Sequence, residues 1–149
     1  MIETLKFIFN RDLNKLKDEI EKYRYETLLW KLNKEITNSA GNLCLHLVGN
    51  LNTFIGKELG GTNYIRNREL EFSLKDIPRA DLIKMIEETI VVIETALSKL
   101  TVNDLKEKYP VRVFQQDMTT EYFIMHLATH LSYHLGQINY HRRLLDQNN

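Results

Sequence analysis

The amino-acid sequence predicts an all-α protein, a four-helix bundle with longer connections between helices 2 and 3 and between helices 3 and 4. Three observations carry that expectation. Breakers are scarce, with two prolines and six glycines in 149 residues. Leu, Lys and Glu are abundant while alternating β-branched runs are rare, a balance that favours helix over strand. Apolar residues recur at three- and four-residue spacing through four long stretches, so each stretch has one face to bury.

The first helix is expected over residues 1–32, bent near residues 10–12, with Leu13, Leu16, Ile20, Tyr23, Leu28 and Leu32 on its apolar stripe. The second covers residues 39–59 and stops at Gly60-Gly61, a strong C-terminal signal. A polar connection rich in Arg and Glu follows. Pro78 then suits the first turn of a third helix over residues 79–106, striped by Leu82, Met85, Ile86, Ile90, Ile93 and Leu97. A second connection, with a short extended piece, includes Pro110. Thr119 and Thr120 offer an N-cap for a fourth helix over residues 120–146. No repeat or linker divides the chain, and residues 1–149 are read as one domain.

Twenty basic and twenty acidic residues leave no net charge, hence no global field to gather nucleic acid or an anionic membrane. No stretch approaches the ~18 apolar residues of a membrane span. The single cysteine, Cys44, rules out an intrachain disulfide and fits a cytoplasmic setting; its simplest role is a small core residue.

The chemistry concentrates near the C-terminus, where H-L-A-T-H-L-S-Y-H-L-G-Q-I-N-Y-H holds four of the five histidines. A helix turns ~100° per residue, so His126, His130 and His134 line up along one side, with Gln137 and His141 on the same arc. Neutral imidazole is a good ligand for Zn²⁺, Ni²⁺ or Fe²⁺. Two rings four residues apart can share one ion. All three cannot, because His126 and His134 stand about 12 Å apart along the axis. One pair must therefore take its remaining ligand from another helix. His46 is the candidate, midway along the second helix between apolar neighbours, with Asn42 and Asn50 one turn away on either side to orient the ring or a ligand. Cys44 points some 200° round that helix, away from any shared ion. His141, beside Arg142 and Arg143, suits the helix dipole at a solvated terminus.

At these residues the chain resembles the DinB/YfiT-like metalloenzyme superfamily. H-L-S-Y-H-L-G-Q-I, from His130 to Ile138, is similar to its fourth-helix motif; H-L-V-G-N-L, from His46, and R-N-R-E-L-E-F resemble a branch of uncharacterised function. The resemblance spans the whole length. It implies a four-helix bundle, a homodimer, and a divalent ion held by His46, His130 and His134, with His126 outside the matching motif, either lining the cavity or replacing a ligand in a shifted register. It places Gly136 at a close helix contact and Gln137 near the site. Members that add or transfer low-molecular-weight thiols make a thiol transferase acting on a small-molecule substrate the first expectation, with the ion activating a thiol cofactor. A metal-dependent hydrolase and a non-catalytic metal-binding or stress-associated interaction protein are the alternatives.

The residues around the ligands offer little more. No carboxylate falls beside them on their own helices. Tyr133 adjoins His134 and can donate to a developing charge, though a core tyrosine with a satisfied hydroxyl is the plainer reading. Arg66 and Arg68 are candidate anion-binding groups if their connection folds over the bundle mouth. With Glu69 and Glu71 they otherwise read as an ion-pair cluster.

Overall fold

The computed structural model describes residues 1–147, which contain helices and no strand. Four helices are long: α1 (Ile2–Lys22), α2 (Ala40–Leu51), α4 (Arg79–Ser98) and α6 (Thr120–Leu145). Two are short: α3 (Arg68–Ser73) and α5 (Val102–Lys106). α1 packs against α4 and α6, and α2 packs against the same two. The shared core includes Phe9, Leu16 and Ile20 of α1, Leu47 and Leu51 of α2, Ile86 and Ile93 of α4, and Leu127, Leu131 and Ile138 of α6. Each such side chain contributes about 2 kcal/mol relative to leaving it in water. No helix among the described residues is long and apolar enough to cross a membrane.

Several boundaries follow local chemistry. The Thr119 hydroxyl accepts from the Tyr122 amide and opens α6. Ser39 does the same for Asn42 and opens α2. After Leu51 the helix widens into a π-helical turn, Asn52–Lys57. It then ends at the expected glycines, with Gly61 at φ 75°, where a side chain would strain the backbone.

Other boundaries differ from expectation. The first helix runs unbroken past residues 10–12 but stops at Lys22, and a 3₁₀ turn covers Glu26–Trp30. Tertiary contacts end it. Tyr23 is extended, its carbonyl accepts from Arg79 Nη2 at 2.6 Å, and Arg24 bonds the Asp146 carboxylate through its amide and Nε. Leu28 is consequently half-buried and Leu32 exposed, off the stripe. The third helix is two. Thr101 and Asp104 cap each other reciprocally and start α5 anew after the Ser98 end of α4. The extended piece expected in the connection around Pro110 is reduced to one bridge, Lys108 with Thr119, which brackets that connection.

The end of α6 is tied down, not solvated. His141 is buried: its Nδ1 accepts from the Tyr23 hydroxyl at 2.7 Å and its Nε2 donates to the Lys31 carbonyl at 2.8 Å. Arg142 pairs with buried Glu19 at 2.6 Å, and Asn139 donates to the same carboxylate. Gly136 is exposed, and a Cβ there would meet nothing within 4 Å, so it does not serve close helix packing inside the molecule.

Candidate metal centre

Where α2 faces α6, three imidazoles meet. His46 Nε2 lies 3.3 Å from His130 Nε2, which lies 3.1 Å from His134 Nε2. One ligand atom from each residue falls within 4.8 Å of the other two. His46 is buried, and the other two are half-buried. The i, i+4 spacing on α6 stacks His130 over His134, and the burial of every residue of α2 carries His46 into the groove opposite.

The outward nitrogens of two rings are held. His46 Nδ1 donates to Glu71 Oε1 at 3.0 Å, and the carboxylate leaves it no other role. His134 Nδ1 lies 2.6 Å from Gln137 Oε1 and donates to it. Both rings therefore present unprotonated Nε2 atoms toward His130. A single N–H on His130 cannot be directed at both. If its proton sits on Nδ1 instead, that buried nitrogen has no partner. Neutral rings alone leave this cluster unsatisfied, whereas a cation accepts all three lone pairs. Burial, with the nearby His134, His46, His126 and Arg66, pushes the His130 pKa down to about 4. Burial lowers that of His134 as well, against the hydrogen bond it donates to Gln137. Both rings are thus in the neutral, ligating form at pH 7. The residues fit a divalent metal ion.

Glu71 is the group that sequence reasoning missed. It sits on α3, in the connection, and is buried. Arg66 clamps it with Nε on Oε2 at 2.8 Å and Nη2 on Oε1 at 2.9 Å. Burial pulls the carboxyl pKa up, but the hydrogen bonds from His46 and Arg66 outweigh it and keep Glu71 ionised. The Phe72 ring packs against His46 at 5.0 Å. The usable signal was the Arg66, Arg68, Glu69 and Glu71 cluster, read as ion pairs, in which Arg66 does pair with Glu71.

The other candidates scatter around this centre. Asn42 does not bond His46; its Nδ2 donates to the Glu71 and Leu74 carbonyls, and its Oδ1 accepts from Lys75, so it fastens α3 to α2. Asn50 is buried with its Oδ1 unpartnered. His126 stacks on Phe123 and meets the edge of Phe114, with its ring 6.3 Å from that of His130. Tyr133 is exposed, not a core residue, with its ring 5.4 Å from His134. Arg66 is engaged by Glu71, whereas Arg68 is exposed over the Phe72 ring at 5.4 Å. Cys44 is buried and its thiol is pushed up to about 12, so it stays protonated.

Helical packing and a three-histidine cluster define a helical protein with a candidate divalent-metal centre. The chain belongs to the DUF1572 family, described as a protein of unknown function, whose model matches residues 2–149. No curated protein matches it.

Proposed function

We propose that the chain is a four-helix bundle of the DinB/YfiT-like superfamily that binds a divalent metal ion through His46, His130 and His134. We further propose that it uses the ion to act on a small-molecule substrate, in the cytoplasm, as a thiol transferase. The carrying observation is the convergence of three Nε2 atoms whose rings are oriented from behind by Glu71 and Gln137. The pairing of α1 and α2 each with α4 and α6 supports the bundle.

Three neutral ligands leave coordination positions for a reactant, the pattern of a catalytic site. A divalent ion there supplies Lewis-acid activation and lowers the pKa of a thiol or a water. Glu71 holds the His46 tautomer and offsets the ion's charge. Gln137 holds the His134 tautomer, and its far side lines a cavity of about 280 Å³ with Leu43, Tyr140 and residues of the 35–38 segment, whose lining includes none of the three ligand histidines. The thiol reading is favoured over hydrolysis because Glu71, the carboxylate hydrogen-bonded to the cluster, is already committed to His46 and Arg66. A thiol starts from a far lower pKa than water and so ionises on the ion with less help, while no carboxylate remains free to assist a water.

The test is metal analysis of protein purified without a histidine tag, followed by assay with a panel of thiols and esters. We expect one divalent ion per chain, lost in the triple change of His46, His130 and His134 to Ala, and thiol-dependent turnover by the loaded protein only. At 100 times the dissociation constant, an ion bound only by the folded chain adds about 2.7 kcal/mol, or roughly 5–10 °C in Tm. Metal binding without turnover would leave a storage or sensing role. No binding would end the proposal.

A further inference from the structure

Of the buried asparagines in and just beyond α2, Asn42 and Asn52 are fastened by the fold and Asn50 is not. Asn42 is held by α3 and Lys75, and Asn52 donates to the Val48 carbonyl and the Thr89 hydroxyl, both at 2.9 Å. Asn50 is 8% exposed, yet its Oδ1 has no hydrogen-bond partner among the described residues. A buried amide oxygen is costly unless something donates to it. Its position is specific. Asn50 stands one turn after His46 and one turn before Phe54, on the same side of α2 and its π-helical extension. His46 meets His130 across the groove, and Phe54 meets Phe123 edge-on at 5.3 Å. Asn50 therefore faces α6 between Phe123 and His130, beside the histidine cluster. Arg66 runs along the outer side, with Nη2 3.4 Å from His46 Nδ1 and Cζ 5.7 Å from the centre of the Phe54 ring. The π turn at Asn52–Lys57 follows at once, a distortion frequent at functional sites.

We propose that the Asn50 amide recognises the reactant: its Oδ1 accepts a hydrogen bond from a neutral N–H or O–H that the thiol carries on the carbon next to its CH₂–SH group. The inference rests on the metal and thiol reading above and names the substrate class within it. An acceptor without a protein donor selects a ligand that brings one. The donor is neutral because an ammonium would meet the Arg66 guanidinium and the charge of the proposed ion. Glu71 does not offset this, since its oxygens are taken by Arg66 and His46. Asn50 and His46 are about 6 Å apart along the helix, a span that a thiol with its donor on the second carbon bridges. The class is thus an N-acyl or hydroxy thiol, not a free aminothiol. A site whose buried acceptor stays unpaired with the wrong ligand discriminates against that ligand.

Isothermal titration of the untagged, zinc-loaded full chain tests this. N-acetylcysteine, 3-mercaptolactate, cysteine and 3-mercaptopropionate share a thiol and a carboxylate and differ in what the second carbon carries: amide N–H, hydroxyl, ammonium or hydrogen alone. We expect N-acetylcysteine or 3-mercaptolactate to bind about tenfold tighter than 3-mercaptopropionate, the worth of one hydrogen bond, and cysteine to bind no tighter than 3-mercaptopropionate. The preferred one of the first two tells an N–H donor from an O–H donor. Asn50→Leu should erase the preference and leave zinc affinity unchanged. It should also leave the Tm of the metal-free protein unchanged or raised, whereas an asparagine that serves the fold would lower it. A parent that binds all the probes equally overturns the proposal. So does a preference that survives Asn50→Leu, or a metal-free Tm lowered by more than ~5 °C. Any of these with zinc still bound leaves the metal reading standing, while a parent that binds no zinc takes both down.

Discussion

The carboxylate of Glu71 occupies the space that a β-carbon on Gly49 would need: such an atom would lie 2.7 Å from the Glu71 carboxyl carbon and closer still to Oε2. Gly49 stands three residues after His46, on the face of α2 that α3 covers, and its missing side chain lets Glu71 reach the ring. Gly49→Ala should displace the carboxylate and free His46 Nδ1 without touching a ligand. We expect a 10- to 100-fold weaker affinity for Zn²⁺ by competition titration, the usual cost of losing an outer partner of a metal histidine. Unchanged affinity would mean that Glu71 does not support the site.

Arg66 neutralises Glu71 in a buried, two-pronged contact. Arg66→Ala leaves that carboxylate uncompensated and should cost roughly 3 kcal/mol in urea unfolding of the metal-free protein. Arg66→Lys should recover part of this, since an ammonium cannot form both parallel bonds. Equal losses in the two variants would assign the effect to side-chain packing.

His126 tests the choice of ligand pair. Its ring belongs to the Phe114–Phe123 cluster. His126→Ala should leave one Zn²⁺ per chain with affinity within about threefold of the parent, while His130→Ala, removing the central nitrogen, should abolish tight binding. The reverse order would shift the centre one turn toward the N-terminus of α6.

His141 sets a pH dependence away from the metal. Burial lowers its pKa, against the hydrogen bond to the Lys31 carbonyl, so the folded chain resists a proton that the unfolded chain accepts near pH 6.5. The stabilisation is therefore complete above pH 6.5 and lost as pH falls below it. Thermal melts of zinc-loaded protein should show a larger drop in Tm from pH 7 to pH 5 for the parent than for His141→Gln. Tyr23→Phe, which strands the buried Nδ1, should cost about 1–2 kcal/mol at pH 7.

Much of the helical layout was legible because its signals are local. Thr119, Pro78 and the Gly60-Gly61 pair act within a turn of themselves, and the spacing of His130 and His134 is a property of one helix. The T-V-N-D capping box at Thr101 was equally local and could have divided the third helix. The stop after Lys22 could not be read, since it depends on Arg79 and Asp146, residues brought to Tyr23 and Arg24 only by folding. Glu71 was hidden for the same reason. Its partner His46 is 25 residues away on another element, and the Arg/Glu cluster does not by itself say which of its acids, Glu69 or Glu71, turns inward.

α3 reaches His46 from a connecting segment, fastened by Asn42 at the start of α2. Displacing that strap would therefore release the His46 ring that Glu71 holds in the candidate metal centre. A protease nick between residues 62 and 67 would let a bound cation escape faster while the long rods stay standing, and a loaded centre would in turn shield the strap from cleavage.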